Sequence, residues 1–304
     1  MSRIHEALKR AEQERAASQG DSVEASQSSE APAVPLVSSS ALDSAASPGL
    51  PSFSAQFTFE ALLARCVQSR WSPDPQTMLF FSAAEPHGTE QFRTLRSRLY
   101  QVREKQALKK LLVTSPLPKE GKSFVAANLA QVLVRQQGRR VLLIDADLRA
   151  ARLHLALGTS ATPGISEYLL GEADELAIMQ RGSMENLFLV PSGRAVSDPA
   201  ELVANGRLKA LLSRVELLFD WIVIDSPPAV PVSDAGLLAN YCDGVLLVVR
   251  SGVTPFDVAR KARDEFGDKN VGVVLNAIEA TSSPYPPYYY GTYGRPNGKD
   301  GVKR

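Results

Sequence analysis

The chain is poor in cysteine and histidine and has no long apolar run, and each shortage removes a class of protein. Its two cysteines, Cys66 and Cys242, lie far apart with no CxxC pair, and there are only three histidines. Neither a disulfide framework nor a zinc site is therefore expected. The longest apolar stretches, such as 245–249, fall far short of the roughly 18–20 residues of a membrane-spanning helix, and the N-terminus lacks an apolar signal core. The expectation is a cytosolic protein with no direct membrane span, any membrane role coming through a partner. An excess of one charge is missing too. The 34 Lys and Arg against 33 Asp and Glu leave a formal +1, which removes nucleic-acid binding through bulk charge. What remains is ordinary for a soluble globular chain, at 44% hydrophobic and 22% charged. Its 304 residues suit one large domain or two small ones, at about 100–200 residues each. One departure is positional: of eight tyrosines, five (Tyr285, Tyr288, Tyr289, Tyr290 and Tyr293) fall within nine residues near the C-terminus.

Residues 1–17 place Ile4, Ala7, Leu8 and Ala11 at helical spacing, which predicts a short amphipathic helix. It is either a docking element or a solvated, frayed helix. Residues 18–55 shift to Ser, Ala and Pro with hardly a large apolar side chain and cannot bury enough surface to offset the entropy of ordering, so a disordered linker is expected. Aromatic and aliphatic residues return from about 56, which opens a folded domain over 56–280, and a helix is expected over 88–107. Six short apolar runs follow, at 111–115, 141–145, 187–191, 221–225, 244–249 and 271–276, alternating with amphipathic stretches of helical length. Strands apolar throughout are buried on both faces, and intervening helices make crossover connections. The expected fold is α/β, a doubly wound, mostly parallel sheet whose ligands bind at the carboxyl ends of the strands. The segment 281–304, rich in Pro, Tyr and Gly, is expected to be a flexible tail.

Three of the predicted strands end in residues that carry chemistry. The first runs into Ser115-Pro116-Leu117-Pro118-Lys119-Glu120-Gly121-Lys122-Ser123 and then an amphipathic helix from Phe124. Strand, Gly-Lys-Ser loop and helix are the context of a Walker A phosphate loop. Backbone N–H groups receive phosphate oxygens, Lys122 reaches the β and γ phosphates, and Ser123 offers its hydroxyl to Mg²⁺. The formal pattern has Gly at the position of Pro116. The second strand ends Asp145-Ala146-Asp147-Leu148-Arg149, and a later one ends Asp225-Ser226-Pro227-Pro228. A single strand-end Asp is usually a turn former or helix cap. Three of them beside a Gly-Lys-Ser loop predict a Mg-nucleotide site. Asn276 closes the last strand, either as a turn residue or as a hydrogen-bond partner of a purine edge.

These residues resemble the bacterial tyrosine autokinases (BY-kinases) of capsule and exopolysaccharide synthesis, the CpsD/CapB type. The match comprises a Walker A ending Glu120-Gly121-Lys122-Ser123, a Walker A′ of aliphatics then D-x-D-x-R at Leu142–Arg149, and a Walker B at Ile222–Pro228. To these it adds an E-x-x-R-x-x-R helix at Glu90, Arg93 and Arg96, and the tyrosine cluster. It covers about residues 85–294. The resemblance implies a P-loop NTPase fold of the ParA/MinD-like subclass that uses ATP and Mg²⁺ to phosphorylate tyrosine. Pro118 to Phe124 and Asn276 would line the nucleotide, Ser123, Asp147 and Asp225 would hold the metal, and Lys122, Asp145 and Asp147 would serve catalysis. The division of labour between the last two aspartates stays open. Lys119 stands where the family commonly has Gly, and either adds a positive contact or crowds the loop. A ParA/MinD-like ATPase switch, or a nucleotide-binding scaffold, is the alternative. The first has an extra lysine near the start of its P-loop, where this chain has Leu117, and it lacks a tyrosine cluster.

By the same resemblance the five tail tyrosines are autophosphorylation sites. Each phosphate adds about −1.5 to −2 charge, roughly −8 to −10 for five. Glu90, Arg93 and Arg96 would face a neighbouring subunit in a homo-oligomeric ring. A transmembrane polysaccharide chain-length (co-polymerase) protein would be the activator, which places the kinase at the inner face of the plasma membrane.

Overall fold

A computed structural model describes residues 58–81 and 88–278. The expected helix at 1–17, the linker and the tyrosine-bearing tail lie outside the described residues. The strands are β1 (Val67–Gln68), β2 (Lys110–Thr114), β3 (Val141–Asp145), β4 (Gln180–Arg181), β5 (Leu187–Val190), β6 (Trp221–Asp225), β7 (Gly244–Arg250) and β8 (Asn270–Asn276). They form one sheet in the order β1-β4-β5-β3-β6-β2-β7-β8. The helices are α1 (Phe59–Arg65), α2 (Thr89–Arg103), α3 (Lys122–Val134), α4 (Leu153–Leu157) and α5 (Ile165–Leu170). After them come α6 (Pro199–Ala204), α7 (Arg207–Val215), α8 (Asp234–Ala239) and α9 (Phe256–Phe266).

All six apolar runs are strands, and every pairing among β2, β3, β5, β6, β7 and β8 is parallel. The alternation of side chains along each strand divides the core into two layers. Leu112, Leu142, Ile144, Ile222, Ile224 and Leu247 pack on one face with residues of α1 and α5 to α9. Leu111, Val113, Leu143, Val223, Leu246 and Val248 pack on the other with α2, α3 and α4. The two strands with no counterpart in the sequence pattern, β1 and β4, are two residues long, too short to show any period, and β4 runs antiparallel to β5. At the opposite margin β8 is only half covered. Val273 is 50% and Leu275 59% exposed, in keeping with a strand at the sheet's margin that pairs with β7 on one side.

Two polar side chains inside α3 explain residues 74–81, which have no period of their own. Asn128 and Gln131 are fully buried. Asn128 accepts from the Leu79 amide (2.9 Å) and donates to the Thr77 carbonyl (2.8 Å), while Gln131 accepts from the Phe80 amide (3.2 Å). The segment is thereby docked on α3 through its backbone, and Met78, Leu79 and Phe80 are buried. Helix α2 lies against the same helix through Phe92 and Phe124, whose rings meet edge to face at 5.8 Å.

Candidate active site

The strand order brings the predicted residues together. β6 lies between β3 and β2, with Asp145 in register with Asp225 and Val113 also opposite Asp225. The loop after β2 therefore opens beside two strand-end carboxylates. That loop is fastened on three sides. Ser115 and Pro116 accept from the amides of Ala229 (2.8 Å) and Val230 (3.2 Å), just beyond β6. The buried Glu120 folds back to accept from the Leu117 amide at 3.1 Å and from the Thr254 hydroxyl, between β7 and α9. Asn276, at the end of β8, donates to the Glu120 carbonyl at 2.9 Å. Gly121 has φ +95°, and a Cβ there would stand 2.0 Å from the Asn276 amide nitrogen. Glycine is required by conformation and by this close approach together. Asn276 thus braces the phosphate loop through one N–H of its amide.

Pro118 and Lys119 are exposed at the lip of the loop. Lys119 takes φ +64°, the left-handed conformation that explains why glycine is at home in this position. The Phe124 ring packs against Phe92 of α2.

Lys122 and the aspartates form a compact, buried set. The Lys122 Nζ lies 2.6 Å from Asp147 Oδ2, 3.8 Å from Asp225 Oδ1 and 3.4 Å from the Ser123 hydroxyl. Burial works against its charge, but the Asp225 and Asp147 carboxylates outweigh it and raise its pKa. Asp147 Oδ1 accepts from the amides of Arg149 (3.3 Å) and Ala150 (2.9 Å), which shapes the turn. Asp145 is held by backbone. Its Oδ1 accepts from Asp147 N (3.3 Å), and its Oδ2 from Arg152 N (3.2 Å) and Leu153 N (3.0 Å), at the start of α4. Burial, with the Asp225 charge adding to it, raises the Asp145 pKa to about 7. Asp225 differs from both. It is fully buried and neither of its carboxylate oxygens has a hydrogen-bond partner. Burial raises its pKa to about 6, the nearby Lys122 opposing.

A Mg-nucleotide fits this donor set. Among the described residues no group of three or more His, Cys, Asp or Glu is placed to hold a metal alone. Mg²⁺, however, normally keeps waters and takes only one or two protein ligands beside substrate phosphates. The unpartnered Asp225 and the Ser123 hydroxyl at the start of α3 match that pattern.

Comparison with known proteins agrees with the geometry. A family described as "AAA domain" matches residues 120–253. The tyrosine-protein kinase YwqD of Bacillus subtilis is 34% identical over 229 residues, which are 74% of this chain and 95% of that one. The chain belongs to the bacterial tyrosine-protein kinases. The kinase is also 31% identical over 207 residues to the tyrosine-protein kinase wzc of Salmonella typhimurium, and spans 29% of that protein's length. Among solved structures, the kinase domain of Escherichia coli tyrosine kinase ETK matches 68% of the kinase and 83% of its own chain, with a TM-score of 0.63 and 29% identity. The chimerical protein CapA2B2 matches 71% and 96%, with a TM-score of 0.62 and 26% identity.

One residue of this kinase's site carries no motif signal. Asp234, at the first turn of α8, is 1% exposed and holds Arg149 of the A′ motif in a two-pronged pair, Nε to Oδ2 at 2.7 Å and Nη2 to Oδ1 at 3.0 Å. Only the helix-start pattern Ser233-Asp234-Ala235 hints at it. Asp234→Asn keeps the shape and removes the charge, so a loss of about 1.5–3 kcal/mol is expected in denaturant unfolding. An unchanged midpoint would show that the pair contributes nothing.

On α2, Glu90 and Arg93 pair at 3.1 Å on the surface. Arg96 donates to the Val132 carbonyl of α3 at 3.0 Å. The three share a helical face, but Arg96 also ties α2 to α3.

Proposed function

We propose that this chain is an ATP- and Mg²⁺-dependent kinase that phosphorylates its own C-terminal tyrosines, Tyr285, Tyr288, Tyr289, Tyr290 and Tyr293, and so regulates exopolysaccharide or capsule synthesis and export. The observation that carries the reading is Lys122 poised between Asp147 and Asp225 at the mouth of a braced phosphate loop. Phosphoryl transfer asks little covalent chemistry of a protein, and mainly positioning and compensation of spreading charge.

Incoming phosphates offer Lys122 more negative charge than Asp147 does, so the ammonium transfers to them. The amides of Glu120 to Phe124, at the start of α3, meet phosphate oxygens with the favourable end of the helix dipole. Mg²⁺, when bound, neutralises charge on the β and γ phosphates; Ser123 and Asp225 would hold it, with Asp147 nearby. The departure of Lys122 frees Asp147 Oδ2, which then orients the acceptor hydroxyl and takes its proton. A tyrosine hydroxyl with its pKa of about 10 needs that help. Asp145, which accepts from three backbone amides, serves as the positioning residue that holds the A′ turn and the start of α4. Supporting the substrate assignment is the tail sequence itself, with Pro and Gly around the tyrosine cluster and no charged residue from 281 to 293.

Replacing all five tail tyrosines by Phe tests the reading. The expected result is loss of nearly all phosphate incorporated into the protein, with Mg-ATP binding intact. Rapid ATP hydrolysis by the native chain with no phosphate on protein would instead make it an ATPase switch.

The same reading assigns Glu90, Arg93 and Arg96 to a subunit contact in a ring, in which each tail reaches the next active site, and assigns activation to a membrane-embedded co-polymerase. Among the described residues no helix is long and apolar enough to cross a membrane. Arg93→Ala with Arg96→Ala is expected to give monomers in sedimentation and severalfold weaker tail phosphorylation. Native assembly and phosphorylation in that variant would remove the ring.

A further inference from the structure

Between α9 and the last strand of the sheet runs a groove that begins at Thr254, the residue that braces the phosphate loop, and leads away from it along β8. It encloses about 360 Å³ and continues along β8 into a second hollow of about 370 Å³ that shares Arg263 and Val273. Its walls are apolar: Phe256 is 77%, Val273 50% and Leu275 59% exposed. Its rim is basic, formed by Arg250, Arg260 and Arg263. Solvent-facing aromatic and aliphatic side chains lined up beside three guanidinium groups are unusual for a surface with no ligand. Two of the arginines are held by exposed contacts within their own helix, and Arg260 also lies over the Phe256 ring at 5.9 Å. Arg260 pairs with Asp257 at 3.2 Å and Arg263 with Asp264 at 2.6 Å, both on the exposed side of their own helix. Exposed pairs of this kind contribute little and yield readily to a dianion.

The position of the groove points to its occupant. β8 ends at Asn276, paired in register with Arg250, and Ile278, the last described residue, is 49% exposed. The tail leaves from there. Tyr285 lies seven residues further on, a reach of roughly 23–25 Å when extended. The strand from Val271 to Leu275 that lines the groove covers roughly 13 Å. Residues 285–293 can therefore turn back along β8 of their own chain.

Charge decides when they do so. Residues 281–293 carry no charge, and those that follow include Arg295, Lys299, Lys303 and Arg304 against Asp300, so the unmodified tail offers nothing to a basic rim. Phosphorylation reverses this, since a phosphotyrosine pairs an apolar ring with a dianion that accepts from two or more guanidinium groups. We propose that the groove between α9 and β8 is a phosphotyrosine-binding site that captures the kinase's own tail after phosphorylation and withdraws it from the active sites. The proposal rests on the tail being the substrate.

Binding of a labelled peptide of residues 281–293, phosphorylated at Tyr288, Tyr289 and Tyr290, to the dephosphorylated full chain tests it by fluorescence anisotropy. Saturable binding at least about tenfold tighter than for the unphosphorylated peptide is expected, lost by a similar factor in Arg260→Glu with Arg263→Glu. Both positions are on the surface, and unchanged ATP binding by the variant verifies its fold. Equal binding of the two peptides, equal binding of a peptide with Glu in place of the phosphotyrosines, or indifference to the double charge reversal would overturn the proposal. The synthetic peptide carries its phosphates from the outset, so this outcome is independent of whether the chain phosphorylates itself, which intact mass reports separately. Hydrogen exchange then identifies the chain supplying the tail. In the autophosphorylated protein, amides of 270–278 should be slowed equally at low and high concentration, whereas slowing only at high concentration would make the occupant a neighbour's tail and contradict capture in cis.

Discussion

Asp225→Asn should cut tail phosphorylation by at least about 10²–10³-fold and at the same time make the nucleotide-free protein more stable, by about 1–3 kcal/mol. The two effects have one cause. Asp225 is fully buried with no hydrogen bond to either oxygen and only the Lys122 ammonium, at 3.8 Å, to meet its charge, a carboxylate that the fold holds at a cost and that a ligand repays. Its pKa, raised from 3.8 to about 6 by burial, carries the same sign. A raised carboxylate pKa contributes stability at low pH that is lost as the pH rises through the folded-state value. The advantage of the Asn variant should therefore be full at pH 7 and shrink below about pH 6, where the native carboxyl takes up its own proton. Thermal or denaturant unfolding across pH 5–8 reads this directly. A variant less stable than the native chain at pH 7 would mean that the attraction of Lys122 for Asp225 outweighs the cost of burying the carboxylate.

Lys122→Met should be equally inactive but of opposite sign in stability. It removes a cation that stands within 4 Å of both Asp147 and Asp225. Breaking a buried pair by deleting one partner costs about 3–5 kcal/mol, less here to the extent that the carboxylates take up protons. The informative variant is the double one. If Lys122 and Asp225 compensate each other in the nucleotide-free protein, Lys122→Met with Asp225→Asn should regain part of the stability lost in the single lysine variant and none of its activity. Additive stabilities would show that the 3.8 Å approach of the two charges is energetically idle. A conservative Lys122→Arg change should keep the charge and much of the stability but still lose turnover, because the planar guanidinium does not reproduce the compact ammonium between loop and carboxylates.

Much of this site was legible in the sequence, for a physical reason. Parallel strands buried on both faces read as unbroken apolar runs, and the residue that ends each run stands at the ligand-binding edge. Asp145, Asp147, Asp225, Asn276 and the Gly121-Lys122-Ser123 turn could be placed there before the order of the strands was known. The order then supplied what one-dimensional spacing lacks, that β6 sits between β3 and β2 and so sets Asp225 between the A′ carboxylates and the phosphate loop. What could not be read depended on side-chain direction. Asn276 braces the Glu120 carbonyl, Glu120 reaches Thr254, and Asp145 is consumed by the amides of Arg152 and Leu153. Each of these is a polar contact across the fold or around a turn, invisible to periodicity. The same holds for Asn128 and Gln131, buried polar residues in a helix whose partners lie about fifty residues away in a segment without pattern. The apolar run 271–276 suggested a strand covered on both faces, yet β8 is the sheet's margin, and its exposed Val273 and Leu275 form the wall of a groove.

Intact mass of the purified chain after incubation with Mg-ATP tests the central claim most directly. The account predicts gains in steps of one phosphate, up to five, located by fragmentation to Tyr285, Tyr288, Tyr289, Tyr290 and Tyr293 and absent from Lys122→Met. A mass that stays unchanged while ATP is consumed, or phosphate found only outside 285–293, would contradict it.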